Sequence, residues 1–541
     1  MRGLVMNTPL LVSSLIQHAD RHHGDTEIVS RRAEGDIHRY TYRDCHRRSR
    51  QLANAFARHG LRLGDRVGTL AWNGYRHLEI YYGASGSGVV CHTINPRLFA
   101  EHIVYIINHA EDRILFFDVA FLPLLTAIAP QLRTVELFVP LCEPDAMPPM
   151  PPSLNTVAYE DLVARESDDF TWPALDEHSA SSLCYSSGTT GRPKGVLYSN
   201  RSTVLHAYAS ALPDAMCLSS RDCVLPVVPM FHANAWGIPY ACPAIGAKLV
   251  LPGAALDGRS LHELFEAEGV TFSAGVPTVW LGLLAYMRQT GGRFTTLRRT
   301  IIGGAACPPA MMRELRDDFD VEARHAWGMT EMSPLGTVCT LKSKHEAAAQ
   351  DERDTRLAKQ GRVVYGVDIK IVDANGMELP WDGTVFGDLH VRGPWIASDY
   401  FKNEEPSPLI DDWFPTGDVA TIDPDGFVKI TDRSKDVIKS GGEWISSIDL
   451  ENIAMAHPAV QEAAVIGVKH PRWGERPLLV VVPKPGSSQC AEELLCSYDG
   501  QIAKWCRPDS VVFVNELPHT ATGKLHKVKL REQLADFAWP E

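Results

Sequence analysis

The sequence has few of the features that would place this protein in a membrane, on nucleic acid or in an oxidising compartment. No segment reaches the roughly 18 uninterrupted apolar residues of a membrane-spanning helix, and the N-terminus has no apolar core of a secretory signal. The net charge is −13, which argues against nucleic acid as a partner, because phosphate backbones attract basic proteins. The twelve cysteines form no C-x-x-C pair, and this usage favours free thiols in a cytoplasmic protein.

The chain does have the length and apolar content of a multidomain enzyme. Its 541 residues are 45% hydrophobic and 22% charged, which are ordinary values for a protein with a large buried core. Helical and strand patterns alternate over residues 1–180 and again after residue 195. This order predicts an α/β fold with parallel sheets, in which ligand sites lie at the carboxyl ends of strands.

The most informative segment is the glycine-rich stretch 185–195, Tyr-Ser-Ser-Gly-Thr-Thr-Gly-Arg-Pro-Lys-Gly. Backbone N–H groups of such a turn can converge on a phosphate, because glycine allows the necessary dihedral angles and has no side chain. The stretch is not a Walker A loop, because Pro193 stands where the second glycine would precede Lys194, and Gly195 replaces the magnesium-binding hydroxyl. Such clusters also occur in ordinary loops, so the assignment depends on the motifs that follow.

The C-terminal third of the chain has a different pattern. After residue 360, short alternating stretches turn at Asn-Gly and Asp-Gly, which predicts an antiparallel β subdomain. The next segment, 431–436, is rich in charge and poor in apolar residues, and the residues after it have their own strand–helix pattern. We therefore expect an N-terminal domain over 1–431 and a small α+β domain over 432–541, with the boundary at Asp432.

Further motifs carry groups that suit a nucleotide. Residues 325–331, His-Ala-Trp-Gly-Met-Thr-Glu, present a ring that can stack on a base, a hydroxyl that can meet a phosphate and a carboxylate that can hold Mg²⁺. The glycine-rich loop 303–307 would allow close approach of a flat base. Asp418 can accept hydrogen bonds from ribose hydroxyls, and Lys524 ends a Thr-Gly-Lys motif. Each residue alone is typical of core or surface, but their joint occurrence in this order is specific.

Together these motifs resemble the adenylate-forming superfamily of acyl-CoA synthetases, adenylation domains and luciferases, over residues 41–530. Within it, the blocks Cys-His-Thr-Ile-Asn-Pro-Arg-Leu at 91–98 and Val-Val-Pro-Met-Phe-His at 227–232 are most similar to bacterial medium-chain fatty acyl-CoA ligases and 3-methylmercaptopropionate–CoA ligases. The family pattern more often has Thr at Ser186 and Tyr at Trp327, and both replacements keep the needed group. The resemblance implies a large N-terminal domain of parallel-sheet subdomains plus an antiparallel β subdomain, and a mobile C-terminal domain hinged at Asp432.

The activity that the resemblance implies is AMP-forming ligation of a small carboxylic acid to CoA, with ATP and Mg²⁺. A carboxylate is a poor electrophile because its leaving group would be oxide, so the family first makes acyl-AMP and pyrophosphate. The CoA thiolate then displaces AMP. The expected substrates are 3-methylmercaptopropionate and short- to medium-chain fatty acids, and medium- to long-chain fatty acids are the alternative.

Two other functions compete with this prediction. One is an adenylating enzyme with an acceptor other than CoA, although no carrier domain is expected after residue 530. The other is an inactive nucleotide sensor, which the joint presence of Lys524, Glu331 and Asp418 disfavours.

Residue roles follow from the family motifs. The catalytic residues implied are Lys524, Thr330 and Glu331, and Glu331 also holds Mg²⁺. The residues implied to contact ATP or CoA are Ser186, Ser187, Gly188, Thr189, Thr190, Gly191, Lys194, Gly303, Gly304, Ala305, His325, Ala326, Trp327, Gly328, Met329, Asp418, Arg433, Lys439, Gly441, Gly442, Glu443 and Trp444.

The acyl group is expected to lie against His232, Trp236, Gly303 and Pro334. A purely structural role for His232 is an equal alternative, and Trp236 can be either the floor of the pocket or a gate to a longer tunnel. After the first half-reaction, rotation about Asp432 is expected to remove Lys524 and to bring segment 439–444 over the site. Relatives are often dimers, so a homodimer is also expected.

Overall fold

The helices are short and are distributed along the whole chain. The computed structural model describes residues 1, 3–186, 192–440, 443–487, 490–519 and 525–539, without the side chains of Glu443 and Trp444. Within these residues the helices are α1 (Val12–His23), α2 (Tyr42–Arg58), α3 (Tyr75–Ser87), α4 (Ala100–Ala110), α5 (Leu122–Ile128), α6 (Tyr159–Ala164), α7 (Asn200–Ala211), α8 (Ala233–Trp236), α9 (Ile238–Ile245), α10 (Gly258–Glu268), α11 (Pro277–Thr290), α12 (Pro309–Phe319), α13 (Ser343–Glu346), α14 (Gln350–Leu357), α15 (Ser447–Met455), α16 (Ala491–Cys496) and α17 (Lys527–Gln533).

The strands alternate with these helices over the first two thirds of the chain and follow one another after residue 360. They are β1 (Glu27–Arg31), β2 (Ile37–Thr41), β3 (Arg66–Leu70), β4 (Val90–Thr93), β5 (Asp112–Phe117), β6 (Leu137–Pro140), β7 (Ala180–Tyr185), β8 (Gly195–Ser199), β9 (Cys223–Pro226), β10 (Lys248–Leu251), β11 (Phe272–Gly275), β12 (Arg299–Ile302), β13 (Glu322–Gly328), β14 (Leu335–Val338), β15 (Arg362–Val363), β16 (Asp368–Val372), β17 (Phe386–Arg392), β18 (Phe414–Ile422), β19 (Val428–Arg433), β20 (Ile438–Ser440), β21 (Glu443–Ile445), β22 (Val460–His470), β23 (Gly474–Pro483) and β24 (Ser510–Phe513).

Two large sheets form the N-terminal part, and both are mainly parallel, as the sequence predicts. The first has the order β6-β5-β3-β4-β7-β8, with an antiparallel pair only at β7–β8. The second has the order β15-β14-β13-β12-β11-β9-β10-β1-β2, parallel from β13 to β1 and antiparallel at both ends. Inner strands such as β4, β9 and β11 are fully buried, as is typical of parallel sheets.

The predicted antiparallel β subdomain is confirmed as the sheet β16-β17-β18-β19. The Asp425-Gly426 pair forms the turn between β18 and β19. Gly426 has a φ of 84°, which residues other than glycine tolerate poorly. Asp432 lies within β19, opposite Val419 of β18. A domain boundary at this residue stays a prediction.

The C-terminal segment builds a separate sheet of the order β21-β20-β23-β22, with β24 parallel to β23. Two apolar clusters cover this sheet, one built around Leu450 of α15 and the other around Leu530 of α17. The predicted α+β character of the small domain is therefore confirmed. No helix among the described residues is long and apolar enough to cross a membrane.

Candidate active site

One large cavity collects most of the predicted site residues. Its volume is about 1110 Å³, and it opens beyond the carboxyl ends of β7, β12 and β13, facing the turn after β19 and residues 525–528. Parallel sheets place ligands at this edge. The predicted residues that line the cavity are Ser186, Lys194, His232, Trp236, Gly303, Gly304, Ala326, Trp327, Gly328, Met329, Thr330, Glu331, Pro334 and Arg433.

Some predicted residues do not line this cavity. The ring of His325 is buried, where it donates to the carbonyl of Ala358 at 3.0 Å and accepts from the backbone N–H of Cys307 at 3.3 Å. Burial lowers the pKa of His325 to about 4, so the imidazole is neutral. Ala305 and the buried Asp418 also lie outside the lining, although Asp418 contacts Trp327 and Arg433, which line it. Lys439 is exposed on β20, where its N–H donates to Glu475.

Several predictions concern residues outside the described part of the chain. These are Ser187, Gly188, Thr189, Thr190, Gly191, Gly441, Gly442 and Lys524. Glu443 and Trp444 belong to β21.

The described ends of the glycine-rich loop are held together between β7 and β8. The N–H of Ser186 donates to the carbonyl of Lys194 at 2.9 Å, and the N–H of Lys194 donates back to the Ser186 hydroxyl at 3.1 Å. The Lys194 ammonium lies 3.3 Å from Glu405 and 4.9 Å from the centre of the Tyr400 ring. This end of the cavity therefore carries a cation held by a carboxylate and an aromatic face.

Glu331 is a nearly buried carboxylate on the short 3₁₀ turn Thr330–Met332. The Tyr400 hydroxyl donates to its Oε1 at 2.9 Å, and its backbone carbonyl accepts from the N–H of Ala397 at 2.8 Å. Burial, followed by the Glu331 charge, raises the pKa of Tyr400, so this hydroxyl stays a donor at neutral pH.

The site fits Mg²⁺ by its chemistry. Among the described residues, no cluster of three or more His, Cys, Asp or Glu forms a metal cage. Mg²⁺ commonly binds one or two carboxylates and takes its other ligands from phosphate and water. The Glu331 carboxylate in the cavity wall, whose partner Tyr400 also contacts Lys194, matches that pattern.

A second polar group is formed by Trp327, Asp418 and Arg433. Asp418 is buried on β18, where its Oδ2 accepts from the Trp327 indole N–H at 2.8 Å and its Oδ1 accepts from Arg433 at 2.8 Å. A Cβ on Gly336 would lie 2.9 Å from the Trp327 ring, so the indole rests directly on backbone. The ring can therefore present its other face to a flat base.

The apolar part of the cavity wall includes Trp236, which lies beside Gly303. A Cβ on Gly303 would lie 3.3 Å from Cη2 of Trp236 and 2.8 Å from the carbonyl of Ala326. The indole thus reaches the carboxyl end of β12, and glycine is needed at that point. His232 and Pro334 line the same cavity.

Sequence reasoning missed residues that complete the site. Tyr400, which joins Glu331 to Lys194, lies in the segment Asp-Tyr-Phe-Lys-Asn, which carries no spacing signal of its own. Glu405 is part of an acidic pair that resembles any solvated surface. Both residues are recognised only from their contacts in the structure, with Glu331 and Lys194 for Tyr400 and with Lys194 for Glu405.

The architecture and this cavity are typical of nucleotide-binding enzymes, and the family comparison agrees. The family described as "AMP-binding enzyme" matches residues 15–401, and "AMP-binding enzyme C-terminal domain" matches residues 449–524. The chain belongs to the AMP-binding enzyme family.

Two curated relatives are similar over almost their whole length. The 3-methylmercaptopropionyl-CoA ligase of Ruegeria lacuscaerulensis is 54% identical, with 99% of each chain covered. The medium-chain-fatty-acid–CoA ligase of Ectopseudomonas oleovorans is 50% identical, over 99% of this chain and 98% of the relative. Among solved structures, the anthranilate CoA ligase AuaEII in complex with anthranoyl-AMP superposes with a TM-score of 0.88 at 25% identity, covering 99% of this chain and all of that one.

Proposed function

We propose that this protein is an AMP-forming acyl-CoA ligase acting on 3-methylmercaptopropionate and on short- to medium-chain fatty acids. The identity to ligases of these two kinds supports the proposal. The observation that carries it is the single cavity, which joins an aromatic–carboxylate end, a cationic end and an apolar end. These three ends suit the nucleoside, the phosphates and the acyl group.

In the first half-reaction, a carboxylate oxygen of the substrate attacks the α-phosphate of ATP, and pyrophosphate leaves. Trp327 stacks on adenine, while Asp418 accepts from the ribose hydroxyls with its remaining lone pairs. Ser186 and Lys194, with the loop between them, hold the β- and γ-phosphates. Thr330 contacts the phosphate at the reacting end.

Negative charge accumulates at the α-phosphate in this step and must be opposed. Lys524 is the residue we propose for that role, because lysine is a compact and mobile point charge. Glu331 is positioned by Tyr400 to hold Mg²⁺, which supplies positive charge against phosphate oxygens when bound.

In the second half-reaction, the CoA thiolate attacks the acyl carbon and the bond to AMP breaks. We propose that residues 432–541 rotate about Asp432 between the steps, exchanging Lys524 for the segment from Lys439 to Trp444. Gly441 and Gly442 have no side chains to obstruct the pantetheine arm. In the described conformation, Arg433 next to the hinge still contacts Asp418 at the nucleotide site.

The acyl preference is proposed to depend on Trp236 and Gly303, which lie side by side in the cavity wall. An apolar pocket discriminates by only about 1–3 kcal/mol per methylene, so neighbouring chain lengths overlap. A thioether sulfur is similar in size to a methylene, and methylmercaptopropionate and pentanoate should therefore both be accepted. Trp236 as a gate to a longer tunnel would instead favour long-chain acids.

The proposal is tested by two coupled assays on the purified chain. Carboxylate-dependent pyrophosphate release should occur with ATP and Mg²⁺, and AMP release should follow only after CoA is added. A kcat/KM series from acetate to palmitate, with 3-methylmercaptopropionate, then locates the preferred acid. Pyrophosphate release without any CoA-dependent step would indicate another acceptor, and no release with any acid would refute the proposal.

We also propose a cytoplasmic homodimer. No disulfide joins the twelve cysteines, all of which lie in the described part of the chain, and this agrees with a reducing compartment. Light scattering coupled to gel filtration gives the oligomeric state directly.

A further inference from the structure

The segment that carries Trp236 has an unusual backbone. Helix α8 is a single left-handed turn, in which Ala233, Asn234, Ala235 and Trp236 have φ values of 42°, 51°, 48° and 57°. L-residues avoid this region because the Cβ atom crowds the following carbonyl, and asparagine tolerates it better than alanine or tryptophan. Four such residues in succession persist only where surrounding contacts hold them.

The contacts that hold this turn converge on the side chain of Asn234, which is buried and does not line the cavity. Its Nδ2 donates to the hydroxyl of Ser182 on β7 at 2.9 Å. Its Oδ1 accepts from the thiol of Cys184 at 3.2 Å and from the hydroxyl of Tyr81 at 3.4 Å. Both ends of the amide are therefore fixed to the first sheet and to α3.

The other side of the same turn faces the second sheet. Trp236 reaches the cavity wall, where its Cη2 would lie 3.3 Å from a Cβ on Gly303. The turn ends at Gly237, where a Cβ would lie 2.6 Å from the ring of His206, so the exit of the chain is fixed as well. The Asn234 amide, which is bonded to the first sheet, and the Trp236 indole, which faces the second sheet, are thus two positions apart on the same turn.

We infer that Asn234 is a positioning residue for acyl-chain selectivity, because it anchors the left-handed turn that holds Trp236 against Gly303. This inference rests on the proposed function, in which Trp236 borders the acyl group. A residue that only stabilised the fold would lower activity on all acids alike. A residue that sets the position of Trp236 changes the ratio between long and short acids.

The test variant is Asn234→Gly, because glycine keeps the left-handed backbone accessible and removes only the amide anchor. The measurement is the ratio of kcat/KM for octanoate to that for butyrate. We expect Asn234→Gly to raise this ratio by about tenfold, since Trp236 is released from the wall and the pocket deepens. The KM for ATP should stay within about twofold of wild type, because Asn234 itself does not line the cavity.

A double-mutant cycle separates positioning from stability. In a Trp236→Ala background, Asn234→Gly should leave the octanoate-to-butyrate ratio unchanged, because there is no indole left to position. Ser182→Ala, which removes one partner of the amide and leaves residue 234 intact, should shift the ratio in the same direction by a smaller factor. This variant carries the test if Asn234→Gly does not fold.

Two results would overturn the inference. One is an unchanged ratio in the folded single variants, and the other is an equal shift with and without Trp236. Failure of the proposed function would look different, since wild-type protein would then ligate no acid to CoA, and this is established before any variant is compared.

Discussion

The indole N–H of Trp327 donates a 2.8 Å hydrogen bond to the buried carboxylate of Asp418. The two residues are far apart in sequence and belong to different sheets. Arg433 contacts the other oxygen of the same carboxylate at 2.8 Å. The ring proposed to stack on adenine and the carboxylate proposed to bind ribose are therefore held as one unit before nucleotide arrives.

Removal of this hydrogen bond should weaken ATP binding. Trp327→Phe keeps an aromatic face but loses the N–H, and a hydrogen bond to a charged group contributes about 1.5–3 kcal/mol. We expect the KM for ATP to rise roughly tenfold at the lower end of that range, measured by pyrophosphate release. Trp413→Phe, outside the cavity, is the matched control. An equal effect of both substitutions would show that Trp327 has no special relation to ATP.

Loss of the Tyr400 hydroxyl should change the magnesium requirement. In Tyr400→Phe, Glu331 loses the donor that lies 2.9 Å from its Oε1, so the carboxylate is no longer oriented towards the phosphates. We expect the Mg²⁺ concentration for half-maximal adenylation to rise about fivefold, because one hydrogen bond contributes about 1 kcal/mol. Tyr365→Phe is the control, because Tyr365 is 91% exposed. An unchanged magnesium dependence would refute the role given to Tyr400.

A methyl group at Gly303 should shorten the acyl pocket. The Cβ of Gly303→Ala would lie 2.8 Å from the carbonyl of Ala326 and 3.3 Å from Trp236, so the backbone at Ala326 must shift and the added methyl group occupies space beside the indole. We expect kcat/KM for octanoate to fall about tenfold more than that for butyrate. Gly282→Ala is the control, since a Cβ there meets nothing within 4 Å. Equal losses on both acids would place the acyl chain elsewhere.

Lys527 should stabilise the C-terminal segment through buried charge. Its side chain is 9% exposed, its ammonium lies 2.7 Å from Glu451, and it also donates to the hydroxyl of Ser447. Ser447 in turn donates from its N–H to Asp432 at 2.9 Å. Lys527→Met leaves the buried Asp432 and the largely buried Glu451 without this cation, and such a loss typically destabilises by about 3–5 kcal/mol.

The loss in Lys527→Met should depend on pH. Burial already raises the pKa of Glu451 and of Asp432, and removal of the lysine raises each pKa further. In the variant these two carboxyl groups hold protons in the folded state and release them on unfolding, so its free energy of unfolding falls as pH rises. The destabilisation relative to wild type should therefore be larger at pH 8 than at pH 5. Thermal unfolding measures it, with exposed Lys529→Met as the control. A pH-independent loss would contradict the charge explanation.

Local sequence patterns were sufficient for the regular parts of the fold. Strand β12 pairs in parallel with β11, as the alternating pattern predicts, and the Asp425-Gly426 turn joins the predicted antiparallel strands. Both depend on short-range rules, namely apolar runs and turn chemistry. The ligand motifs likewise converge on one cavity because parallel strands place their carboxyl ends together.

The remaining features depend on contacts between distant segments, which no local pattern encodes. Lys527 looks like a surface lysine until Glu451 and Ser447 are found beside it. The left-handed turn around Asn234 needs partners on β7 that precede it by about fifty positions. His325 belongs to a family motif, yet its ring bonds to Ala358 and Cys307 outside the cavity lining.

The division of labour between Lys524 and the hinge at Asp432 is the central claim, and Lys524→Ala tests it most directly. Two rates are measured in the folded variant: acid-dependent pyrophosphate release, and thioester formation from supplied acyl-AMP and CoA. We expect the first to fall by at least about 100-fold, since one preorganised charge contributes that much, and the second to stay near wild type. Lys529→Ala should change neither rate. An equal fall of both rates in Lys524→Ala would contradict the account.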